Sequence, residues 1–249
     1  MKKQILLLSM SLTLFAEQPE MFYFLNKDTN DINKYPKNIK YNMITIDLED
    51  STKREIESLR KRNVKVFCYM SAGTWENWRE DSKEFPEEAI GSYLDNWPGE
   101  CWLDIGNKDV MEIMKKRIKL AKQKGCYGVD FDNIDGYTNR TGFYLSYNEQ
   151  LNFNKNLAKY AHSLGLKTIL KNDLSQIDEL EPFFDYAVNE SCNKYNECYH
   201  YNNWLKNKKY VFNIEYIVPE KKDIESKYFK TYLASKDLNG EFYKELFVK

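Results

Sequence analysis

The chain has 249 residues, of which 42% are hydrophobic and 15% aromatic, and this composition is ample for one large hydrophobic core. Lysine and arginine number 37 against 38 aspartates and glutamates, so the formal net charge is -1. Nucleic acids and acidic membrane surfaces select a basic excess, so the sequence gives no support to either partner.

The amino-terminal segment has the pattern of a secretory signal. Lys2 and Lys3 precede an apolar run from Ile5 to Leu14, and Phe15-Ala16 then gives a small-residue exit. This run is too short to span a bilayer comfortably and is typical of a signal peptide. We therefore expect residues 1–16 to be a signal peptide, and residues 17–249 to form a secreted or periplasmic domain with no stable membrane insertion. A retained anchor or a buried helix is the alternative.

Short strand-like runs alternate with helical stretches along the rest of the chain, which favours a parallel α/β architecture. Eight such runs are predicted as strands. They are Met21–Leu25, Met43–Leu48, Val64–Met70, Gly128–Phe131, Lys167–Leu170, Tyr186–Asn189, Tyr210–Ile214 and Thr231–Ala234.

Helices between these strands have apolar residues at helical spacing. Ser51 is predicted to cap a first helix that ends near Arg62, and Asn107 a second that Gly125 terminates. A third helix is predicted over residues 148–164. The repeated strand–helix unit predicts a single-domain (β/α)8 TIM barrel, with an open doubly wound sheet as the alternative.

Polar clusters follow six of the predicted strands. They are Asp47-Leu-Glu-Asp50, Ser71-Ala-Gly73, Asp130-Phe-Asp-Asn-Ile-Asp135, Lys171-Asn-Asp173, Asn189-Glu190 and Glu215-Tyr216. In a parallel barrel these strand ends converge on one face, where active sites are built. Helix capping accounts for one such cluster but not for six at the same end, so the pattern predicts an enzyme.

The connection from Gly73 to Ile105 is long and contains four of the five tryptophans, namely Trp75, Trp78, Trp97 and Trp102. Long connections inside a compact domain are usually functional or disordered, and this composition does not suit disorder. Indole faces stack on the apolar faces of pyranose rings, so we expect a lid or wall of a sugar cleft. A satellite hydrophobic cluster is the alternative for at least two of the four.

The five cysteines do not follow a metal-binding pattern. Cys192 and Cys198 lie in a polar loop and could form a local disulfide, whereas Cys68 and Cys126 lie in apolar runs and are predicted to be buried thiols. Cys101 is left over. With no Cys-x-x-Cys and only two histidines, a zinc site is not supported.

Other cofactor patterns fail as well. The segment Asp130–Thr141 resembles a calcium loop, but Ile134 stands where a ligand is needed and Thr141 where a glutamate is needed. The sequence contains no Gly-x-Ser-x-Gly, Gly-x-Gly-x-x-Gly or Walker motif. We expect neither a metal nor any other cofactor.

Hydrolysis of a glycosidic bond needs two carboxyl groups flanking that bond. Asp132 and Glu190 end the fourth and sixth predicted strands and would face each other across a barrel mouth. Asp130 alternates with Asp132, so both side chains point the same way, and their repulsion would raise one pKa. The residues predicted to bind substrate or tune this pair are Asp47, Trp75, Trp102, Asp130, Asn133, Asp135, Tyr137, Lys171, Asn172, Asp173, Glu215 and Tyr216.

Six segments carry a family resemblance. They are Cys68-Tyr-Met-Ser-Ala-Gly-Thr-Trp-Glu-Asn-Trp-Arg79, Trp97-Pro-Gly-Glu-Cys-Trp-Leu-Asp104, Gly125-Cys-Tyr-Gly-Val-Asp-Phe-Asp-Asn-Ile-Asp-Gly-Tyr137, Leu170-Lys-Asn-Asp173, Asn189-Glu-Ser-Cys192 and Phe212-Asn-Ile-Glu-Tyr216. In this order they resemble the family 114 glycoside hydrolases, TIM-barrel endo-α-1,4-polygalactosaminidases. The first strand lacks the tryptophan usual in that family, and Cys101 stands where a basic or polar residue is usual.

The resemblance implies an endo-acting cut in an α-1,4-linked galactosamine polymer such as galactosaminogalactan. It also implies Asp132 and Glu190 as the catalytic carboxylates and a Cys192–Cys198 bridge. We assign Glu190 as nucleophile and Asp132 as acid/base, and expect a monomer whose partner is its polysaccharide substrate. The alternatives are a non-catalytic carbohydrate-binding or cell-wall protein, and a hydrolase of another α-linked amino polysaccharide.

Overall fold

The computed structural model of the protein describes residues 18–25, 41–220, 224–240 and 243–246. The predicted signal peptide, residues 1–16, lies outside them. Among the described residues, no helix is both long and apolar enough to cross a bilayer.

A nine-stranded sheet forms a nearly closed barrel, in which eight neighbouring strands are parallel and the ninth is antiparallel. Its strands are β1 (Met21–Phe24), β2 (Met43–Asp47), β3 (Lys65–Ser71), β7 (Gly128–Asp132), β8 (Lys167–Lys171), β9 (Tyr186–Glu190), β10 (Val211–Glu215), β11 (Phe229–Ala234) and β12 (Tyr243–Leu246). The predicted TIM barrel and its eight parallel strands are confirmed, with strand ends displaced by one or two residues.

Three further strands, β4 (Thr74–Glu76), β5 (Ile90–Tyr93) and β6 (Glu100–Leu103), form a small antiparallel sheet in the order β4-β6-β5. The sheet occupies the tryptophan-rich connection between β3 and β7. The connection is therefore an ordered wall with its own hydrogen bonds.

The helices pack outside the barrel. They are α1 (Lys53–Lys61), α2 (Lys108–Lys124), α3 (Tyr147–Ser163), α4 (Ile177–Leu180), α5 (Cys192–Tyr195) and α6 (Asn202–Lys206), with 3₁₀ turns at Ser82–Glu84, Glu87–Ala89, Gly136–Thr138, Leu174–Gln176, Glu181–Phe183 and Cys198–Tyr201. Asn107 caps α2 as predicted, and Gly125 ends it in the left-handed conformation with φ of 89°. The prediction of Ser51 as the cap of α1 is wrong, because Thr52 forms the capping box with Glu55.

Strand alternation divides the core into two layers. On β3, Phe67 points into the barrel interior, where it packs with Met21 and Phe212. Its neighbours Val66 and Cys68 point outwards into the larger layer between sheet and helices. Both faces of the strands are therefore buried, as expected where helices cover a parallel sheet.

The barrel closes through side chains and loops between β1 and the last two strands. Tyr232 accepts a hydrogen bond from the backbone N–H of Met21 (3.1 Å), and Tyr243 donates one to the Met21 carbonyl (2.9 Å). The Phe22 ring packs edge-on against Tyr243 with centroids 4.6 Å apart. These contacts join the amino end of β1 to β11 and β12 across the gap in the sheet.

Two disulfides connect parts of this frame. Cys192–Cys198 closes a short loop after β9, which confirms the bridge that the family resemblance implied. The prediction that Cys68 and Cys126 are free thiols is wrong, because they form the second disulfide with Cα atoms 6.0 Å apart. Cys68 lies on β3 and Cys126 directly before β7, its neighbour in the sheet, so the barrel topology brings them together. Cys101 is free and buried.

The two disulfides predict unequal stability losses. Cys68–Cys126 spans 58 residues and Cys192–Cys198 spans 6. The loop-entropy model gives about 4 kcal/mol for the longer loop and about 2 kcal/mol for the shorter one. In urea unfolding, the Cys68→Ala/Cys126→Ala double variant should therefore lose more unfolding free energy than Cys192→Ala/Cys198→Ala. The reverse order would contradict the prediction.

Candidate active site

A cavity of about 640 Å³ opens at the carboxyl ends of the barrel strands. It receives residues from β2, β3, β7, β8 and β9 and from the residue after β10, the six strands whose ends carry the predicted polar clusters. The predicted site residues that line it are Asp47, Trp102, Asp132, Asn133, Asp135, Lys171, Asn172, Glu190 and Tyr216.

Lys171 lies at the centre of the cavity floor, at the end of β8 between β7 and β9. Its Nζ lies 3.4 Å from Asp132 Oδ1 and 3.3 Å from Glu190 Oε2, and its side chain is 3% exposed. Burial by itself lowers the pKa of this amine, but Asp132 and Glu190 raise it well above its usual value. Lys171 is therefore a buried cation that draws the two carboxylates towards one point.

Glu190 is held ready in its ionised form. Burial alone raises the pKa of this carboxyl, but the Lys171 charge and hydrogen bonds hold the pKa below its usual value. Tyr216 donates its hydroxyl to Glu190 Oε1, and Asn172 Oδ1 accepts the Glu190 backbone N–H at 3.1 Å. The carboxylate is therefore both charged and oriented.

Asp132 is oriented from a second side. Tyr69, which points into the cavity from β3, donates its hydroxyl to Asp132 Oδ2 at 3.0 Å. With Lys171 at the other oxygen, both oxygens of the Asp132 carboxyl have a defined neighbour. Its side chain remains 19% exposed, so it stays open to the cavity.

Asp130 lies beneath this pair and is fully buried inside the barrel. Tyr23 donates a hydrogen bond to Asp130 Oδ2, while the other oxygen has no partner among the described residues. Burial raises the pKa of Asp130 to about 7, with contributions from Asp132 and Glu190. The predicted repulsion between Asp130 and Asp132 is present, but burial is the larger cause. Asp130 does not line the cavity; it acts on the site through its charge interaction with Lys171.

Left-handed backbone conformations follow the strands that carry the site. Asn133 has φ of 57°, Asn172 and Asp173 both 50°, and Ser191 68°. Asparagine and aspartate tolerate this region better than most residues, and such conformations concentrate at functional sites. The chain therefore turns sharply after β7, β8 and β9, which leaves Asp132, Lys171 and Glu190 at the mouth.

Asn133 is held by a buried polar cluster at the wall. Its Nδ2 donates to Ser71 Oγ (3.0 Å), Thr74 Oγ1 (3.1 Å) and Glu100 Oε1 (3.0 Å). Glu100 also accepts from Thr74, and burial raises its pKa to about 7. The amide therefore locks the turn directly after Asp132.

A buried ion network forms the side of the cavity next to β2. Arg79 donates to both oxygens of Asp47 (2.8 and 2.7 Å) and to both oxygens of Glu76 (2.7 and 2.8 Å). The register between β4 and β6 places Glu76 directly opposite Glu100. Asp47 lines the cavity, but its oxygens are occupied by Arg79 and by the N–H groups of the following turn.

Aromatic side chains form the outer part of the wall. Trp102 is buried and lines the cavity, and Trp78 and Trp97 line it with 39% and 58% exposure. Trp75 is not among the cavity-lining residues. It packs against the core and donates its indole N–H to the Ser82 carbonyl at 2.9 Å. The expected aromatic wall is therefore present, with Trp97 as its most exposed member.

Three other predicted residues lie outside this cavity. Glu215 is fully buried and accepts from the Asn193 backbone N–H (2.9 Å) and from Asn213 Nδ2 (2.8 Å), so its visible contacts position the loop after β9. Tyr137 and Asp173 line a second, adjoining cavity.

Sequence reasoning missed Tyr69, Glu76, Arg79 and Glu100. In Thr74-Trp-Glu76 the two polar residues alternate with Trp75, and in Glu100-Cys-Trp102 the spacing of two puts Glu100 and Trp102 on one face of a strand. That pattern was the available signal. The missing information was that the two segments pair, which only the folded connection shows.

Within the described residues, no group of three or more histidine, cysteine, aspartate or glutamate side chains is arranged to hold a metal ion. The arrangement can instead perform chemistry with carboxyl groups. An ionised carboxylate and a second carboxyl share one cation in the cavity. Aromatic rings at the rim complete a site with the features expected for a sugar polymer.

A TIM barrel with paired carboxylates at its mouth defines a class of glycoside hydrolases. The family model for glycoside-hydrolase family GH114 matches residues 17–244, and the chain belongs to that family.

The chain is similar to Aspergillus fumigatus Ega3, whose crystal structure was determined in complex with galactosamine. The two sequences are 32% identical, and the structures superpose with a TM-score of 0.81 over 92% of this chain and 95% of that one. The glycoside hydrolase domain of PelA from Pseudomonas aeruginosa shares the fold at 12% identity, with a TM-score of 0.68 over 89% of this chain and 96% of that one. No curated protein sequence matches the chain significantly.

The ion network predicts a strong stability effect. Arg79→Met should lower the unfolding free energy by about 3–5 kcal/mol, because it leaves the Asp47 and Glu76 carboxylates buried without their cation. Lys116→Met is the control, since its ion pair with Glu84 lies on the surface and should contribute little. Chemical unfolding of the two variants would contradict the prediction if their losses were similar.

Proposed function

We propose that the protein is an endo-acting hydrolase of an α-1,4-linked galactosamine polysaccharide, with Glu190 as nucleophile and Asp132 as acid/base. The observation that carries this proposal is the position of Lys171 between the two carboxylates, at 3.4 Å and 3.3 Å. This cation keeps Glu190 ionised and holds both groups over one point in the cavity.

The chemistry proceeds in two displacements. Glu190 attacks the anomeric carbon and forms a glycosyl ester, while Asp132 gives its proton to the glycosidic oxygen as that bond breaks. Water then attacks the same carbon, Asp132 takes a proton from it, and the ester bond to Glu190 breaks. The two steps return both carboxyl groups to their starting state.

The spacing of the pair supports this double displacement. The distance from Asp132 Oδ1 to Glu190 Oε2 cannot exceed the sum of their distances to Lys171 Nζ, 3.4 Å and 3.3 Å. Retaining enzymes place their carboxyl groups about 5–5.5 Å apart and inverting enzymes about 6.5–9.5 Å apart, so two carboxyl groups held on one cation suit the shorter, retaining separation. Retention of the α-configuration in the first product, read by NMR, tests the assignment.

The charge of the cavity favours a cationic sugar. Carboxylates outnumber basic side chains among its lining residues, which include Asp47, Glu76, Glu100, Asp132, Asp135, Glu190 and Asp237 against Arg79, Lys171 and Lys236. Such a cavity attracts protonated amines. The complex of Ega3 with galactosamine, at 32% identity, supports an amino sugar as the unit recognised.

Secretion to an oxidising compartment is part of the proposal. Two disulfides, one of them between neighbouring barrel strands, suit an extracellular or periplasmic protein. The predicted signal peptide over residues 1–16 supports the same location. The monomeric state stays a prediction.

A panel of amino polysaccharides tests the function. The wild-type protein should release short oligosaccharides from α-1,4-linked galactosamine polymer, detected by mass spectrometry. Asp132→Asn and Glu190→Gln should lower the rate by at least about 100-fold, because each removes an essential proton carrier or nucleophile. Circular dichroism should show unchanged folding in both variants. Full activity in either variant, or cleavage only of a different polymer, would contradict the proposal.

The role of Lys171 predicts a shift in the pH profile. Glu190 must be ionised to attack, so activity is lost as the pH falls through its pKa. Since Lys171 helps to depress that pKa, Lys171→Met should raise it and move the acid limb of the kcat/KM profile to higher pH. Lys236→Met removes an equal charge from the same cavity and is the control. An acid limb that stays in place, or moves equally in both variants, would refute this role.

A further inference from the structure

A second cavity of about 390 Å³ adjoins the first at the catalytic centre. Asp135, Asn172 and Glu190 line both cavities, so the cleft continues past the proposed nucleophile. A polymer that reaches Glu190 from the first cavity can therefore extend into the second.

The second cavity has an aromatic wall held in one orientation. Tyr137 donates its hydroxyl to Asp173 Oδ1 at 3.3 Å, and its ring packs edge-on against Tyr147 with centroids 5.5 Å apart. Tyr137 is half-buried and lines the cavity. An aromatic ring fixed in this way suits the apolar face of a pyranose ring.

A loop closed by the Cys192–Cys198 disulfide brings a carboxylate to this cavity. Glu197, the residue before Cys198, is held in the loop because its backbone N–H donates to the Cys192 carbonyl at 3.0 Å. The Glu197 side chain lines the cavity and is half-buried. Its carboxylate has no hydrogen-bond or ion-pair partner among the described residues.

Two other buried side chains line the cavity with polar atoms that lack a hydrogen-bond partner or a neighbouring cation. Asn189 is 1% exposed and lines the cavity, and its Oδ1 has no hydrogen-bond partner among the described residues. Asp173 is 3% exposed, and its carboxyl accepts from Asn154 Nδ2 at 2.9 Å and from Tyr137. Burial raises the pKa of Asp173 to about 8, with a further contribution from Asp135.

The charge balance of this cavity is one-sided. Four carboxyl groups line it, those of Asp135, Asp173, Glu190 and Glu197, of which Glu190 is paired with Lys171, and its lining contains no lysine or arginine. A half-buried carboxylate without a partner is costly unless a cation accompanies it. The cavity therefore presents an acceptor-rich surface beside a sugar-sized aromatic wall, and Glu197 is a carboxyl group in it that has no cation beside it among the described residues.

We infer that the second cavity is a subsite for a hexosamine unit with a free, protonated amino group, which Glu197 and Asp173 bind while Tyr137 contacts the ring. This inference rests on the proposed function and deepens it. An N-acetylated unit has no positive charge to offer the carboxylates, so the subsite selects de-N-acetylated units next to the bond that is cut.

The test compares Glu197→Gln with wild type on two substrates, fully de-N-acetylated and partially N-acetylated α-1,4-galactosamine oligosaccharides. Glu197→Gln should lower kcat/KM on the de-N-acetylated substrate about 10-fold, the equivalent of one charge-assisted hydrogen bond. In digests of the acetylated substrate, sequencing by mass spectrometry should show a free amine at one position beside the cut for wild type, and a weaker preference for the variant.

Two further variants complete the experiment. Glu57→Gln, an equal charge change on the outer face of α1, should behave as wild type, and Glu197→Asp should restore the preference for a free amine in part. If wild type cleaves no galactosamine polymer, the proposed function fails. If wild type cleaves it and Glu197→Gln matches Glu57→Gln, the subsite is refuted. An equal loss on both substrates also overturns the inference, because a structural defect would not distinguish amine from acetamide.

Discussion

The site depends on one buried cation. An ammonium group in the interior of a protein is costly unless carboxylates surround it, and Lys171 meets this constraint with Asp132 and Glu190 beside it and Asp130 close below. The sheet order β7-β8-β9 places the lysine between its two partners. The same interaction that stabilises the lysine therefore holds the two carboxyl groups close together and keeps Glu190 ionised.

Hydrogen bonds from neighbouring strands hold the side chains of Asp132 and Glu190 in place. Tyr69 from β3 binds Asp132, and Tyr216 after β10 binds Glu190, so the strands flanking the three central ones supply the supporting hydrogen bonds. Left-handed residues end all three central strands directly after the reactive groups. Catalytic side chains work only when their rotamers are restrained. Here the restraint comes from residues on or directly after the five strands β3, β7, β8, β9 and β10.

The excursion between β3 and β7 serves both stability and the site. Its three-stranded sheet lies beside the cavity, and its buried carboxylates are compensated by Arg79 and by the amide of Asn133. The Cys68–Cys126 disulfide joins the two barrel strands between which this excursion is inserted. The wall is therefore attached at its base, and three of its tryptophans, Trp78, Trp97 and Trp102, line the cavity.

The amino-acid sequence by itself determined the barrel, because short apolar strand-like runs and the helical spacing of apolar residues between them are local patterns that recur along the chain. It also determined which strand ends carry polar groups, and through family resemblance it indicated Asp132, Glu190 and the Cys192–Cys198 bridge. Only the tertiary structure decided the position of Lys171 between the two acids, the pairing of Cys68 with Cys126, and the roles of Glu100 and Arg79. These contacts join residues far apart along the chain, and their register depends on how strands and inserted segments pack, which no local pattern specifies.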